Sequence, residues 1–173
     1  MIATKYFDKA EENFFDGKYE EAIRMYAIAI NLKSDYVIAY INQGNAYQKL
    51  KKYELAEEVY STALYLESNN AIAYYNRGIA RRILDRLGEA ILDFSEAIRL
   101  KPMFPHLYVN RGNVKNKLGF PKEAILDYTR ALQLKADYVE AYYNRGIVYK
   151  KIGSEEEALK DFEQVCKLNN NRG

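Results

Sequence analysis

The chain has 173 residues, of which 49% are apolar and 29% charged, and its 26 basic and 24 acidic residues give a formal net charge of +2. This length suits one domain or one array of repeats, and the composition is typical of a chain that buries a core. The near-neutral charge gives no electrostatic reason to expect a nucleic-acid or membrane partner. Charged residues interrupt the N-terminal segment, so we expect no signal peptide, and no apolar run approaches the roughly 20 residues that span a bilayer.

A period of 34 residues runs through the chain without an insertion. It defines five repeats, with positions numbered 1 to 34 within each: residues 3–36, 37–70, 71–104, 105–138 and 139–172. Position 20 is always alanine, position 24 is tyrosine or phenylalanine, and position 30 is leucine. Because a period of this length is typical of stacked repeats, we expect one continuous array over residues 3–172.

The first half of each repeat is predicted to be a helix that packs closely against a neighbour. Position 8 always holds a small residue, which lets two helix backbones approach each other. These residues are Ala10, Gly44, Gly78, Gly112 and Gly146.

A turn and a second helix complete each repeat. Gly17, Gly119 and Gly153 share position 15, where the end of a helix favours a residue with positive φ. Positions 20, 24 and 27 then place small and aromatic residues on one helical face. Pro102 falls where a second helix must stop, and Pro121 falls in the first turn of another. The pattern predicts ten helices in five hairpins and no strand.

These positions give the chain a resemblance to tetratricopeptide-repeat (TPR) proteins, which extends over residues 3–172. The resemblance implies an all-α, right-handed superhelix (α-solenoid) of five helix-turn-helix hairpins. The first helices of such a fold line a concave groove in which family members dock a peptide or another protein. The chain departs from the family at the end of the repeat, where the usual proline is present only as Pro102.

Residues suited to catalysis are scarce. His106 is the only histidine and Cys166 the only cysteine, so neither a metal cluster nor a Cys–His dyad is expected. We therefore predict a protein with no enzymatic activity, metal or cofactor. The lone thiol suits a reducing compartment and indicates a cytoplasmic protein. Because Cys166 shares position 28 with isoleucines and leucines, we interpret it as a small core residue.

Asparagines recur on the first helices at positions that would face the groove. Position 6 holds Asn42, Asn76, Asn110 and Asn144, and position 9 adds Asn45 and Asn113. Asparagine disfavours helix interiors, so four at one position require an explanation. One hypothesis is a ladder of amides that binds the backbone of an extended peptide, because each amide offers a donor and an acceptor. The other is that these amides cap a helix, bond between adjacent helices, or were simply retained when the repeat unit was duplicated.

Charge changes along the predicted groove. The first repeat contributes Asp8 and Glu11, whereas later first helices end in basic residues: Lys49, Arg82, Lys117, Lys150 and Lys151. A basic end favours an acidic segment or a carboxyl terminus, although solvated lysines are ordinary at helix C-termini. The clamp with which some TPR co-chaperones hold the C-terminal carboxylate of heat-shock proteins is absent, because position 5 lacks the required lysine.

Three repeats combine an arginine at position 7 with an aspartate at position 23. The pairs are Arg77 with Asp93, Arg111 with Asp127, and Arg145 with Asp161. The first two repeats have neither residue. This co-occurrence predicts a structural ion pair within each hairpin, since a partly buried arginine requires a partner.

The sequence thus predicts a scaffold that binds an extended segment of a partner protein through the asparagine ladder. The alternative is a structural scaffold that self-associates through its last repeat, because no further helix is predicted to cover that repeat's apolar face. Binding of RNA by related helical repeats is disfavoured by the net charge of +2 and by the period of 34 residues.

Overall fold

The computed structural model describes residues 2–170, and within this range the chain forms ten α-helices and no strand. The helices are α1 (Ile2–Phe15), α2 (Tyr19–Leu32), α3 (Val37–Lys49), α4 (Tyr53–Leu66), α5 (Ala71–Ile83), α6 (Leu87–Leu100), α7 (Pro105–Lys117), α8 (Pro121–Leu134), α9 (Val139–Lys151) and α10 (Glu155–Asn170). The all-α prediction, with two helices in each repeat, is confirmed.

The chain divides into two compact units, and the boundary between Glu89 and Ala90 lies within α6. The first unit contains α1 to α5 and the beginning of α6, and the second contains the rest of α6 and α7 to α10. The expectation of one continuous array over residues 3–172 stays a prediction.

In the first unit, each helix from α1 to α4 packs against the next one in the chain, and α3 also contacts α5. Two tyrosines at position 24, Tyr26 and Tyr60, are fully buried between these helices. Small residues surround them, among them Ala10 and Ala39 near Tyr26 and Ala56 and Ala63 near Tyr60. The alternation of small and aromatic residues therefore forms the core, as the sequence predicts.

The second unit repeats this arrangement from α7 to α10, and α7 also contacts α9. Its core contains Tyr128 at position 24, with Val109 from α7 and Ala141 and Val148 from α9. Tyr128 is buried, and the other three side chains have no exposed surface.

Glycine at position 8 leaves room for the aromatic ring at position 24 of the same repeat. A Cβ atom added to Gly44 would lie 2.5 Å from the Tyr60 ring, and one added to Gly112 would lie 2.8 Å from the Tyr128 ring. These distances are shorter than ordinary van der Waals contact, so a side chain at either glycine would displace the ring.

All five turns within the hairpins use positive φ at position 15. The predicted glycines have φ of 77° (Gly17), 85° (Gly119) and 82° (Gly153). Lys51 and Asp85 take the same conformation, with φ of 58° and 61°. The two non-glycine residues were not predicted, because an L-residue avoids this region unless the fold requires it.

The core prediction for Cys166 is wrong, since this residue is exposed on α10. Leu64 and Leu132 are buried at the same repeat position in α4 and α8, and each of these helices packs against the first helix of the next repeat. No helix covers this face of α10 in the described part of the chain.

Candidate functional site

The asparagines at position 6 bond to the preceding repeat in three of the four cases. In each of them the side-chain Nδ2 donates to a side-chain oxygen at position 9 of the preceding first helix. These bonds run from Asn42 to Glu11 Oε1 (2.8 Å), from Asn76 to Asn45 Oδ1 (2.9 Å) and from Asn144 to Asn113 Oδ1 (3.0 Å).

The same oxygen accepts a second hydrogen bond from a tyrosine hydroxyl of its own hairpin. The donors are Tyr26 to Glu11, Tyr60 to Asn45 (2.7 Å) and Tyr128 to Asn113 (2.8 Å). We call each set of tyrosine, acceptor and asparagine a junction triad, because it links the two helices of one hairpin to the first helix of the next.

The junction triad fixes which way the amides point. Because the Asn113 oxygen receives two donors, its Nδ2 group faces away from both of them. Asn144 uses its Nδ2 group in the triad, which leaves its oxygen on the opposite side. Both asparagines remain partly exposed. The bond between adjacent helices, one of the two hypotheses from the sequence, is therefore present for Asn42, Asn76 and Asn144.

Asn110 is the exception. Its Nδ2 donates to the backbone oxygen of His106 in its own helix, at 2.9 Å. The residue at position 9 of the preceding repeat is Ile79, which has no side-chain acceptor. A side-chain amide in a helix can bond in this way to the backbone oxygen four residues before it.

The sequence contains a signal for the junction triad that we did not recognise. Position 9 is polar in the repeats with tyrosine at position 24 and isoleucine in those with phenylalanine. The pairs are Glu11 with Tyr26, Asn45 with Tyr60, Asn113 with Tyr128, Ile79 with Phe94 and Ile147 with Phe162. A buried hydroxyl requires an acceptor, and a phenyl ring does not.

Two cavities lie at equivalent junctions, one in each unit. The first, of about 210 Å³, is lined by Glu11, Phe14, Phe15, Tyr26, Asn42 and Asn45. The second, of about 250 Å³, is lined by Asn113, Asn116, Tyr128, Asn144 and Ile147. In the second cavity Asn116 Oδ1 is buried and has no hydrogen-bond partner among the described residues. A buried acceptor without a donor is uncommon in folded proteins, so we treat it as a candidate ligand contact.

Burial raises the pKa of the triad tyrosines. It is the main cause at Tyr26, Tyr60 and Tyr128, because a phenolate loses its hydration when it is buried. At Tyr26 the hydrogen bond to the Glu11 carboxylate raises the pKa further. These tyrosines therefore act as neutral donors in the triad.

The basic candidates differ in their surroundings. Lys49, Lys117 and Lys151 are exposed, whereas Arg82 is half-buried. The Nε atom of Arg82 is buried without a hydrogen-bond partner among the described residues. The structure thus leaves these residues as candidates for ligand contact.

Two of the predicted ion pairs are present in the second unit. Arg111 donates to Asp127 through Nε and Nη2 (3.0 and 2.7 Å), and Arg145 donates to Asp161 in the same way (2.8 and 2.8 Å). Both aspartates are buried. The bond to Asp161 is the main factor that raises the pKa of Arg145. The third predicted pair, Arg77 with Asp93, joins residues of different units and stays a prediction.

These arginines also bond to a hydroxyl at position 25 of the preceding repeat, a contact that we did not predict. The bonds run from Arg77 to Ser61 (3.1 Å), from Arg111 to Ser95 (3.1 Å) and from Arg145 to Thr129 (2.8 Å). Position 25 is alanine in the first repeat and has a hydroxyl in the three that precede an arginine. The same comparison of repeats would therefore have found this contact.

A separate ion-pair cluster lies in the first unit. Glu57 is buried and accepts from Arg81 (2.9 Å) and Arg86 (2.6 Å), and Arg81 also lies 3.2 Å from Glu89. The cluster connects α4 to α5 and to the turn that follows. No repeated pattern predicts it, because it occurs at one junction.

The described residues contain no candidate metal site and no candidate membrane-spanning helix. Within residues 2–170, no three acidic, histidine or cysteine side chains are grouped as metal ligands would be. None of the helices in that range is both long and apolar enough to cross a bilayer.

Family models match most of the chain. Models of the tetratricopeptide repeat match residues 37–70, 71–102 and 139–172, and a further TPR repeat model matches residues 14–51 and 122–153. No curated protein sequence gives a significant match.

Solved structures with a similar fold include two of MamA and one of YrrB. A crystal structure of MamA is 24% identical, with a TM-score of 0.91 over 94% of this chain and 95% of MamA. A fragment of MamA from Desulfovibrio magneticus RS-1 is 18% identical, with a TM-score of 0.93 over 98% and 96%. YrrB, described as a TPR protein with an unusual peptide-binding site, is 22% identical, with a TM-score of 0.82 over 94% and 84%. At these identities the likeness establishes the fold.

Proposed function

Because the chain belongs to the tetratricopeptide-repeat family, we propose that this protein-interaction scaffold binds an extended segment of a partner protein, without catalysis, in the cytoplasm. The binding surface consists of the faces of the first helices that carry positions 6, 9, 12 and 13. In the first unit these helices are α1, α3 and α5, and in the second they are α7 and α9.

The orientation of the amides supports this proposal. In the second unit the junction triad uses one end of Asn113 and one end of Asn144, whereas in the first unit Asn45 Nδ2 also donates to Asn42 Oδ1, at 3.4 Å. In the second unit the available groups are the Nδ2 of Asn113 and the oxygen of Asn144. An extended peptide presents both C=O and N–H groups along its backbone, so it complements a row of such groups. The structural and the binding hypotheses for these asparagines are therefore compatible.

The observation that carries the proposal is the Oδ1 atom of Asn116, which has no hydrogen-bond partner within residues 2–170. It is buried in the wall of the cavity that Asn113 and Asn144 also line. An unsatisfied buried acceptor costs stability, and a backbone N–H of a bound segment would satisfy it. The peptide-binding site named for YrrB, a protein of the same fold, adds support by analogy.

Charge favours an acidic stretch in the bound segment. Lys49 ends α3, and Lys150 and Lys151 end α9, so basic side chains follow the asparagines on both helices. All three are exposed. Exposed charges of this kind increase the rate of association and select for the opposite sign in a partner.

Peptide display tests the proposal. Random dodecapeptides are selected on the full chain, and the best one is titrated into ¹⁵N-labelled protein. We expect the side-chain amide signals of Asn113, Asn116 and Asn144 to shift. Shifts confined to the outer face of α8, for example around Leu126 and Arg130, would overturn the proposed surface, as would the absence of any selected peptide.

A second candidate function is self-association through the last hairpin. On α10, Leu159 is 60% exposed and Cys166 is exposed, although their repeat positions are covered in the earlier second helices. An apolar face of this kind fits a second copy of the chain. Light scattering over a range of concentrations tests this, with Leu159→Glu as the variant. A dimer that the substitution dissociates would support self-association, and a monomer at every concentration would exclude it.

A further inference from the structure

We infer that the cavity at the first junction binds an arginine side chain of the bound segment. We call this cavity the Glu11 pocket. The inference rests on the proposed function and adds to it one recognised side chain. It depends on the position of the pocket, its unbalanced charge and its aromatic wall.

The Glu11 pocket lies among three helices of the first unit. α1 provides Glu11, Phe14 and Phe15, α2 provides Tyr26, and α3 provides Asn42 and Asn45. Its volume is about 210 Å³. It therefore lies beside the asparagines of the proposed peptide surface, where a side chain of an extended segment can enter.

The charge of Glu11 has no cationic partner in the described part of the chain. Its Oε1 atom accepts from the Tyr26 hydroxyl and from Asn42, which are neutral donors. Lys9, two residues before Glu11 on α1, forms an ion pair with Glu12 at 2.7 Å. Neutral donors orient a carboxylate but leave its negative charge, so the pocket retains an attraction for a cation.

A nearby tyrosine reports the same negative field. Tyr36 precedes α3, and its pKa is raised by burial and then by the charges of Asp8 and Glu11. Two carboxylates on one face of α1 thus act in the same direction on a group across the junction.

Two phenylalanines form the apolar wall. Phe15 is 82% exposed, and its ring lies 6.1 Å from the Phe14 ring, at 87° to it. Aromatic faces beside a carboxylate favour a guanidinium group, which stacks on the ring while it bonds to the oxygen. The apolar stem of the same side chain covers the ring edges. An exposed aromatic ring in this place suits an arginine better than an acidic or a small polar side chain.

The equivalent cavity of the second unit provides an internal comparison. There Asn113 replaces Glu11, Asn116 replaces Phe14, and no charged residue lines the cavity. Glu11→Asn should therefore remove the charge and preserve the junction triad, because asparagine accepts the same two bonds at Asn45 and Asn113.

Two small probes test the inference by NMR on the full chain. N-acetyl-arginine methylamide carries the cation, and N-acetyl-citrulline methylamide is its neutral counterpart of the same shape. We expect the arginine probe to shift the amide signals of Phe14, Phe15 and Asn42 and to bind about tenfold more tightly than citrulline, because a charge-assisted bond is stronger than a neutral one.

Two variants then separate the parts of the pocket. Glu11→Asn should remove the preference for arginine, while circular dichroism shows an unchanged fold. Phe15→Ser keeps the charge and should weaken binding of the arginine probe about threefold through the lost stacking. Equal shifts from both probes, no shift at the pocket, or an arginine preference that persists in Glu11→Asn would overturn the inference.

These outcomes remain distinct from those of the proposed function. If selected dodecapeptides bind at Asn113 and Asn144 and the arginine probe fails, the pocket inference alone is wrong. If the arginine probe binds and no peptide does, segment binding fails and the pocket is a cation site in its own right. In that case the inference that the pocket recognises a side chain of a bound segment is wrong together with the proposed function.

Discussion

The junction of α1, α2 and α3 and the junction of α7, α8 and α9 are built from the same hydrogen bonds. In the first, Glu11 accepts from Tyr26 and Asn42, and in the second, Asn113 accepts from Tyr128 and Asn144. The acceptor is charged in one unit and neutral in the other. Two phenylalanines lie beside it in the first unit, and in the second unit Asn116 lies beside it, whose buried Oδ1 atom has no partner in the described part of the chain.

The difference shows which part of the junction the fold requires. Packing and the junction triad need an oxygen that accepts two hydrogen bonds, and either side chain supplies it. The charge and the neighbouring side chains at position 12 can therefore vary without disturbing the hairpins. Variation of this kind lets one repeated scaffold present different chemistry at each junction.

Removal of the acceptor should have the largest effect on stability. Glu11→Ala should lower the free energy of unfolding by about 3 kcal/mol, since it leaves a buried hydroxyl and an amide without their charged acceptor. Asn113→Ala should cost about 2 kcal/mol, because its bonds are neutral. Urea denaturation measures both. Glu11→Asn is the control and should cost much less than Glu11→Ala, and equal losses for Asn and Ala would show that the junction does not depend on the acceptor.

Removal of the hydroxyl should give the next largest effect. Tyr26→Phe should cost about 2 kcal/mol and Tyr128→Phe about 1 kcal/mol, again because the first acceptor is charged. Thermal and urea unfolding give the two values. The double variant Tyr128→Phe/Asn113→Ile, which copies Phe162 and Ile147, should lose less than the sum of its single changes. Additive losses would contradict the coupling that the junction triad predicts.

Alkaline pH should weaken all of the junction triads. The pKa of Tyr26, Tyr60 and Tyr128 is raised in the folded state, so their contribution is complete below the unfolded value of about 10 and is lost as pH rises. At pH 11 the ionisation of each of these tyrosines in the unfolded state should lower the free energy of unfolding by about 1.4 kcal/mol. Absorbance titration should show that these three tyrosines ionise only with unfolding.

The Glu11→Asn variant sharpens this pH comparison. Without the carboxylate, Tyr26 should ionise at a lower pH than in the wild type, while Tyr128 should be unaffected. If all 17 tyrosines ionise together near pH 10, the burial that raises these pKa values is contradicted.

The turns of the two units should give the smallest effect. In the second unit both turns within hairpins have glycine at positive φ, whereas the first unit uses Lys51 with φ of 58° at one of its turns. Lys51→Gly should raise the free energy of unfolding by about 1 kcal/mol, because glycine adopts this conformation without strain. Gly119→Lys is the matched reverse change and should destabilise, and a loss in Lys51→Gly would mean that the lysine side chain stabilises the turn.

The period made the helices and most of the core predictable. Alanine recurs at position 20 and an aromatic residue at position 24, as in Ala22, Tyr60 and Phe94. Five copies in one chain therefore identify the buried face without a structure. The pairs of Arg111 with Asp127 and Arg145 with Asp161 were predictable in the same way, because both partners change together from repeat to repeat.

The candidate site was less predictable, for physical reasons. The sequence predicted that Asn42, Asn76 and Asn144 share one face. It did not predict the hydrogen-bond partners of their amides, because these depend on how adjacent hairpins pack. Asn116 occurs once at its position, so no repetition marks it, and only burial reveals its missing partner. The prediction that Cys166 is a core residue was wrong because its repeat position is buried only where another helix packs on it.

The affinity and the stability of Asn116→Ala, measured on the same protein, test the proposed surface most directly. Affinity for the selected dodecapeptide should fall about fivefold, since one hydrogen bond is lost. The free energy of unfolding should stay the same or rise by up to about 1 kcal/mol, because alanine favours the helix and leaves no unsatisfied acceptor. Asn110→Ala, on the same helix, is the control and should change the affinity less. Unchanged affinity in Asn116→Ala, or a loss of stability that accounts for the weaker binding, would contradict a ligand role for this amide.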